Sequence, residues 1–189
     1  MPETVVGVIL AGGRSTRMGR DKALASLDGR PLVAWVASAL ADAGLDAVLA
    51  GPPRQGVDIP AIPDAPGGGP VAGLVGAFQA HPGASLFVVG VDQPLLRAGT
   101  VRAIAALAGD VVAPLHAGIP QVTCALYRPR AEAVARRVLT TGRASLRAVA
   151  TACAPTLVEE AVWRQWGEDG RSWESIDTPR ELRALQRRM

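Results

Sequence analysis

Apolar segments of strand length alternate with segments of helical period along this chain. Val5–Leu10 and Leu86–Val91 are short, almost continuous apolar runs, as expected of strands buried on both faces. Between them, apolar residues recur at helical spacing from Leu32 to Leu40. This alternation is typical of βαβ units around a mainly parallel sheet. Because 189 residues suit one sizeable core, we expect a single α/β domain over residues 1–189.

The same patterns predict the other elements and their ends. A helix is expected to begin at Pro31 and to end before Gly44, and Thr178 is the expected N-cap of the last helix. The predicted strands are Val5–Leu10, Ala47–Ala50, Leu86–Val91, Val111–Pro114, Val122–Tyr127 and Thr156–Glu159, and the further predicted helices are Val71–Ala80, Thr100–Leu107, Pro129–Leu139, Ser145–Ala152 and Pro179–Arg188. We expect Val111–Pro114 and Val122–Tyr127 to pair antiparallel and Thr156–Glu159 to lie at an edge.

Composition excludes several classes of protein. A net charge of +3 is too mild for an extended nucleic-acid surface. No apolar run reaches the roughly 20 residues of a membrane span, and no basic segment of a leader precedes the first strand, so we expect a cytoplasmic protein that does not enter a membrane. Cys124 and Cys153 are too few for a disulfide framework and are expected to pack in the core.

A glycine-rich basic segment follows the first strand. Leu10–Lys22 holds three glycines and four basic residues, among them Lys22, the only lysine of the chain. Glycines let backbone N–H groups surround an anion, and basic side chains neutralise phosphoryl oxygens, so the segment predicts a phosphate site. The alternative is a solvated loop that happens to be basic. Neither a P-loop nor a dinucleotide-binding fingerprint is present.

The segment also carries a family resemblance. Leu10–Lys22, continued by Ala23–Leu24 and Leu27–Leu32, resembles the signature L-A-G-G-x-S-x-R-M-G-x-D-K-x-L…G-x-P-L of the molybdenum cofactor guanylyltransferases. The resemblance implies a three-layer α/β/α Rossmann-like nucleotidyltransferase fold and transfer of GMP from GTP to the terminal phosphate of molybdenum cofactor, with release of pyrophosphate. Relatives that use CTP or UTP usually have alanine at the position of Gly12, which favours the guanylyl branch.

Two aspartates are candidate ligands of the nucleotide. Asp92 follows the strand Leu86–Val91, at the sheet edge where we expect the glycine-rich segment, and one carboxylate can anchor Mg²⁺ together with substrate phosphates. The alternative is a turn-capping residue before Pro94. The carboxylate of Asp64, which precedes the segment Gly69–Gly73, could accept both donors of a guanine edge. Asp92 with Pro94 resembles the family's D-x-P motif, and Asp64 with Gly69–Gly73 resembles its motif of an aspartate followed by G-P-x-A-G.

Two positions depart from the family pattern. Ala50 stands where an asparagine often touches the nucleotide. Asp177 replaces the second asparagine in the segment Ser175–Pro179, which resembles the family's N-I-N-T-P near the second substrate. We expect Asp177 to keep a polar contact on the acceptor side, to approach the metal, or only to cap the last helix with Thr178.

The resemblance implies a role for each candidate. Lys22, Arg17 and Asp92 would act on the phosphates, Asp92 would hold Mg²⁺, and Arg14 is a weaker candidate. The expected nucleotide-binding residues are Leu10, Ala11, Gly12, Gly13, Lys22, Asp64 and Asp92. The expected partners are GTP, molybdopterin or molybdenum cofactor, and transiently a cofactor-biosynthesis protein or molybdoenzyme chaperone.

Other interpretations stay open at this point. One alternative function is that of a cytidylyltransferase on the same or another phosphorylated acceptor. The other is that of an accessory protein that binds nucleotide without turnover. His81 and His116 lack the paired spacing of metal ligands and are expected in turns. Trp163, Trp166 and Trp173 are expected to pack in the core, with stacking on a flat heterocycle as the alternative.

Overall fold

The computed structural model describes residues 3–11, 21–142 and 144–188. The predicted phosphate-binding residues Gly12, Gly13, Arg14 and Arg17 lie outside the described residues. Within them, a mixed, mostly parallel sheet lies between two layers of helices. The predicted α/β architecture is therefore confirmed, whereas the single domain over residues 1–189 stays a prediction.

The sheet is built from strands in the order β10-β7-β9-β6-β1-β4-β5. Only β9 runs antiparallel to its neighbours on this path, and β8 pairs with β7 as a hairpin. The strands are β1 Val5–Leu10, β2 Ser26–Leu27, β3 Arg30–Pro31, β4 Asp46–Ala50, β5 Ala61–Ile62, β6 Ser85–Gly90, β7 Val111–His116, β8 Ile119–Pro120, β9 Cys124–Tyr127 and β10 Thr156–Val158, of which β2 and β3 form a separate small hairpin.

Helices cover both faces of the sheet. The α-helices are α1 Leu32–Asp42, α2 Gly69–Ala80, α3 Ala98–Ala105, α4 Ala131–Leu139, α5 Leu146–Ala152, α6 Glu160–Trp163 and α7 Pro179–Gln186. Apolar residues of α2, α4 and α5 pack on one face, and those of α1 and α3, with Trp163, pack on the other. Side chains alternate along β1, so Val8 enters the first core and Ile9 the second.

The parallel pairing brings the ends of three strands to one edge. Leu10 is in register with Ala50 on one side and with Gly90 on the other. Because β4 is followed in the sheet by β5, the loop after Ile62 starts from the same edge. This is the edge at which open α/β sheets bind ligands.

A third apolar cluster joins the two ends of the chain. Ala25, Leu27 and Leu32 pack against Ile176 and α7, whose Leu182 and Leu185 are buried. Thr178 caps α7 in a capping box with Glu181, as expected. The cluster fixes the segment before α7 beside the segment that begins at Lys22.

Several element ends differ from the sequence prediction. Pro31 is not the first helical residue, because it pairs with Ser26 in the β2–β3 hairpin and has extended backbone. The strand predicted to start at Val122 starts at Cys124, whose N–H donates to the carbonyl of Gln121 in a turn. The strand β7 continues past Pro114 because β8 pairs with its last two residues. His116 is therefore in a strand, and its prediction as a turn residue is wrong.

The expected strand pairing and the packing of the cysteines and of two tryptophans are confirmed. The strands β7 and β9 pair antiparallel, and β10 is an edge strand. Cys124 is fully buried and Cys153 is partly buried, both as free thiols. Trp163 and Trp173 pack in the second core. Among the described helices, none has the length and apolar character needed to cross a bilayer.

The contact between α2 and the Asp64 loop predicts the effect of Gly76→Ala. A Cβ at Gly76 would lie 2.3 Å from the backbone oxygen of Pro63, so the helix or the loop must move. We expect the free energy of unfolding to fall by about 1–3 kcal/mol, measured by chemical denaturation.

Gly99→Ala is the matched control. Gly99 is an exposed residue of α3, and a Cβ there meets no atom within 4 Å. Because alanine has the higher helix propensity, we expect this variant to be equally stable or more stable by up to about 1 kcal/mol. Equal stability of the two variants would contradict the close approach of α2 to the loop.

Candidate active site

The only lysine of the chain lies between two carboxylates at the sheet edge. Lys22 Nζ donates to Asp92 Oδ2 at 2.8 Å and to Asp177 Oδ1 at 2.7 Å. The lysine side chain is 14% exposed, so water is largely excluded from the ammonium. Ser175 Oγ donates to the same oxygen of Asp92 at 3.0 Å. Residues far apart in the sequence thus form one compact charged cluster.

Each member of the cluster is positioned by its backbone. Lys22 begins a short 3₁₀ helix, which Asp21 caps by accepting from the N–H of Ala23 at 3.0 Å. Asp92 lies two residues beyond β6, and its carbonyl accepts from the N–H of Ile176 at 2.9 Å. This backbone bond holds the segment of Asp177 against the loop of Asp92.

The loop that carries Asp92 is tightened by its neighbours. The N–H of Gly90 donates to Gln93 Oε1 at 3.0 Å. A Cβ at Gly90 would lie 2.2 Å from Asp92 Oδ1, so glycine leaves the space that the carboxylate occupies. Sequence analysis did not single out Gly90 or Gln93, although both lie within two residues of the predicted ligand.

The electrostatics of the cluster favour the charged lysine. Burial opposes ionisation of Lys22, but the hydrogen bonds and charges of Asp177 and Asp92 outweigh it and raise the lysine pKa above its ordinary value. Lys22 is therefore an ammonium throughout the neutral range.

A cavity of about 180 Å³ opens beside this cluster. It is lined by the strand ends Leu10, Ala50 and Gly90, by Asp64, Asp92 and Thr123, and by Gly69, Pro70 and Gly73 at the start of α2. A Cβ at Gly73 would lie 3.2 Å from Ala50 Cβ and 3.3 Å from Asp64 Oδ1. The small residues at positions 50 and 73 thus keep the space in front of Asp64 open.

Asp64 is a partly buried aspartate at the wall of this cavity. Burial raises its pKa, and the positive charge of Arg54 partly opposes that shift. Among the described residues, none donates a hydrogen bond to its carboxylate. An acceptor without a donor, at the side of a cavity, is suited to the donor edge of a ligand.

Arg54 closes the base of the glycine-rich segment. Its guanidinium donates to the carbonyl of Ala11 at 2.6 Å and to Asp21 Oδ2 at 2.9 Å. Ala11 and Asp21 are the described residues on either side of positions 12–20. The arginine side chain is only 9% exposed. No motif in the sequence marks Arg54, because its role depends on a backbone carbonyl and a side-chain carboxylate that the fold brings together.

The structure decides between the interpretations of Asp177. Its side chain contacts Lys22, while the side chain of Thr178 caps α7. The interpretation of Asp177 as only a capping residue is therefore wrong, whereas a contact with the acceptor and an approach to a metal stay predictions. Among the described residues, no group of three or more His, Cys, Asp or Glu side chains could hold a metal, so any cation here is bound through fewer protein ligands.

Comparisons with known proteins show the family of the chain. Residues 7–156 match the family model of the MobA-like NTP transferase domain. The molybdenum cofactor guanylyltransferase of Rhodobacter capsulatus is 38% identical over 69% of this chain and 74% of its own length. The probable molybdenum cofactor guanylyltransferase of Chloroflexus aggregans is 30% identical over 95% of this chain and 92% of its own.

A solved structure shows the same fold. Molybdopterin-guanine dinucleotide biosynthesis protein A from Archaeoglobus fulgidus superimposes with a TM-score of 0.83, covers 96% of both chains and is 20% identical. The predicted Rossmann-like nucleotidyltransferase fold is thereby confirmed. With the matched family model and the relatives that span most of its length, the chain is a nucleotidyltransferase and belongs to the family of MobA-like NTP transferase domains.

Proposed function

We propose that the protein transfers GMP from GTP to the terminal phosphate of molybdenum cofactor and releases pyrophosphate. The observation that carries the proposal is the ammonium of Lys22 between Asp92 and Asp177, beside a cavity that holds Asp64. The names of the relatives supply the acceptor. The proposal includes a cytoplasmic location, as the sequence suggests.

Lys22 would neutralise the phosphates of GTP. In the described structure, its ammonium is held by two carboxylates, and a flexible four-carbon stem lets it follow phosphate oxygens when a nucleotide arrives. The ammonium is charged throughout the neutral range, because the hydrogen bonds to the two carboxylates outweigh burial and raise the lysine pKa. Lys22 would thus stabilise the negative charge that moves to pyrophosphate as the bond to the α-phosphate breaks.

Mg²⁺ is the expected cofactor, and the carboxylates present fit it. Asp92 and Asp177 already converge on one cation, the ammonium, and Mg²⁺ needs only one or two carboxylates besides phosphate oxygens and water. Asp92 is the predicted ligand, with Asp177 beside it. When bound, the metal neutralises charge on the nucleotide phosphates.

Asp64 would recognise the base. Guanine presents N1–H and the 2-amino group side by side, and one carboxylate can accept from both. Asp64 lines a cavity that also has small or apolar walls, among them Ala50 and Leu10. A carboxylate at this place discriminates against bases that have no such pair of donors.

The acceptor needs little chemical activation. A terminal phosphate is already an anion, so its oxygen can attack the α-phosphate without a general base, and pyrophosphate leaves from the opposite side. The protein then has to align the two substrates and stabilise charge. The arrangement of Lys22, Asp92 and Asp177 at a single edge suits both tasks.

Lys22→Ala tests the role of the ammonium. We expect the rate of GMP transfer to fall by at least about 100-fold, because a charge that stabilises the transition state is removed. The melting temperature measured with Mg²⁺ should change little, since the metal can then occupy the place between the two carboxylates. Pyrophosphate release with GTP and cofactor measures the rate, and equal rates for variant and wild type would disprove the role.

Asp64→Asn tests the choice of base. We expect GTP affinity to fall about 10- to 100-fold, as for a lost hydrogen bond to a charged group, while the affinities for the other nucleoside triphosphates change little. Thermal-shift titration with Mg²⁺ and each triphosphate measures this, and Asp58→Asn, an exposed loop aspartate, is the control. Selective stabilisation of the wild type by CTP would support the cytidylyl alternative instead.

The same residue predicts a dependence on pH. Because burial raises the pKa of Asp64, its carboxylate takes up a proton at higher pH than an ordinary aspartate. GTP affinity of the wild type should therefore decrease as pH falls through that pKa, while the affinity of Asp64→Asn stays flat. The raised pKa also means that ionisation of Asp64 opposes folding. The free energy of unfolding of Asp64→Asn at neutral pH should therefore be no lower than that of the wild type.

Arg54→Ala tests the closure of the glycine-rich segment. Removing the bonds to Ala11 and Asp21 should raise KM for GTP about tenfold and change kcat less, because binding of the nucleotide must then hold these two residues together. Arg102→Ala, which removes one exposed bond to the carbonyl of Asp42, is the control. Steady-state kinetics would count against this role if both variants had the same KM.

A further inference from the structure

Buried polar side chains gather at the junction of two segments. Gln93, Thr100, Glu168 and Ser172 are all buried. They lie where residues 93–100 contact residues 168–173, and hydrogen bonds join the two segments there. Because a buried polar group is costly unless it is hydrogen-bonded, a satisfied network of this kind holds the two segments in one arrangement.

Glu168 is the centre of this network. Its carboxylate accepts from the hydroxyl of Ser172 at 2.5 Å and also from the hydroxyl of Thr100. Ser172 Oγ in turn accepts from the N–H of Arg97 at 3.0 Å. Residues 168–172 are thus fixed beside α3, which determines where the following segment starts.

Gln93 joins the same junction directly after Asp92. Its side chain is buried, with the residue only 2% exposed. Oε1 accepts from the N–H of Gly90 at 3.0 Å, and Nε2 donates to the carbonyl of Trp173 at 3.4 Å. One neighbour is a donor and the other is an acceptor, so an amide satisfies both, and in only one orientation.

The bond to Gly90 shapes the turn that carries Asp92. The N–H of Gln93 donates to the carbonyl of Gly90 at 3.1 Å, so its main chain and its side chain both close the turn over residues 90–93. The carboxylate of Asp92 lies against this turn, because a Cβ at Gly90 would be 2.2 Å from Oδ1. Since Oδ2 accepts from Lys22 at 2.8 Å, a change in the turn moves the carboxylate relative to the ammonium.

The bond to Trp173 holds the segment of the other carboxylate. Trp173 precedes Asp177, which also accepts from the Lys22 ammonium, by four residues. Further along, the N–H of Ile176 donates to the carbonyl of Asp92 at 2.9 Å. The segment 173–177 is therefore attached to the loop of Asp92 at two places, and Gln93 supplies the first of them.

From these contacts we infer that Gln93 is a positioning residue, which sets the separation of the Asp92 and Asp177 carboxylates and so holds Lys22 Nζ between them. It acts through two backbone groups, the N–H of Gly90 and the carbonyl of Trp173. The middle position of the D-x-P motif is unspecified, so the family resemblance assigns it no role. For catalysis the inference rests on the proposed function, because the two carboxylates then act on a nucleotide complex.

Hydrogen exchange of the Lys22 ammonium tests the inference without nucleotide or metal. Because Lys22 is the only lysine of the chain, labelling lysine with ¹⁵N at Nζ gives a single side-chain ammonium signal in NMR. Gln93→Met has nearly the same size and removes both hydrogen bonds. At equal pH and temperature, we expect its ammonium protons to exchange with water at least about threefold faster than those of the wild type, because the carboxylates hold them less well.

Two variants control for unrelated effects. Gln165→Met changes an exposed glutamine whose Nε2 donates to the carbonyl of Ala161 at 3.0 Å. Val149→Ala lowers stability in the buried face of α5, away from the charged cluster. Both should keep the exchange rate of the wild type. A wild-type rate in Gln93→Met, or the same increase in Val149→Ala, would overturn the inference.

Gln93→Asn is a second variant, in case the methionine variant is too unstable to study. It keeps an amide in the buried place but is one methylene shorter, so it does not reach Gly90 and Trp173 together. We expect it to exchange faster than the wild type as well, and a wild-type rate in this variant would contradict the role of the two bonds.

Steady-state kinetics with GTP and molybdenum cofactor test the catalytic consequence. Gln93→Met should lower kcat about tenfold and change KM for GTP less than about twofold, because alignment is lost while Asp64 and the rest of the nucleotide cavity remain. An unchanged kcat would overturn the catalytic consequence. Faster ammonium exchange in Gln93→Met, in a protein whose wild type transfers no GMP, would support the positioning role and refute the proposed function.

Discussion

The site depends on one buried ammonium between two carboxylates. Lys22 donates to Asp92, which follows a central strand of the sheet, and to Asp177, which lies in the segment before the last helix. Without a cation between them, the two carboxylates would repel each other. The charge of Lys22 therefore lets both lie at one sheet edge. The same convergence of charge suits a metal–nucleotide complex, in which the ammonium can leave for phosphate oxygens.

Parallel strands supply the frame for this convergence. In-register pairing puts Leu10, Ala50 and Gly90 side by side, so the loops that follow them start from one edge. The apolar cluster between the start of the chain and α7 then brings the other carboxylate to Lys22. Thus hydrophobic packing outside the charged cluster determines where the segment of Asp177 lies.

Much of the fold could be predicted because it follows local rules. The strand β1 and the end of α2 were predicted to the residue, since apolar period and glycine or proline breaks are local signals. The strand β5 was missed, because two residues in a proline-rich loop carry no periodicity. The extension of β7 to His116 was missed because it depends on pairing with β8.

For the site, the sequence by itself determined the chemical types: a glycine-rich basic segment after a buried strand, a lone lysine at its end, and aspartates that follow strands. Those are properties of short stretches of chain. Only the tertiary structure decided that Lys22 meets Asp177, 155 positions away, and that Arg54 joins Ala11 to Asp21. The physical reason is that such contacts arise from the packing of loops against a common core, which no local pattern encodes.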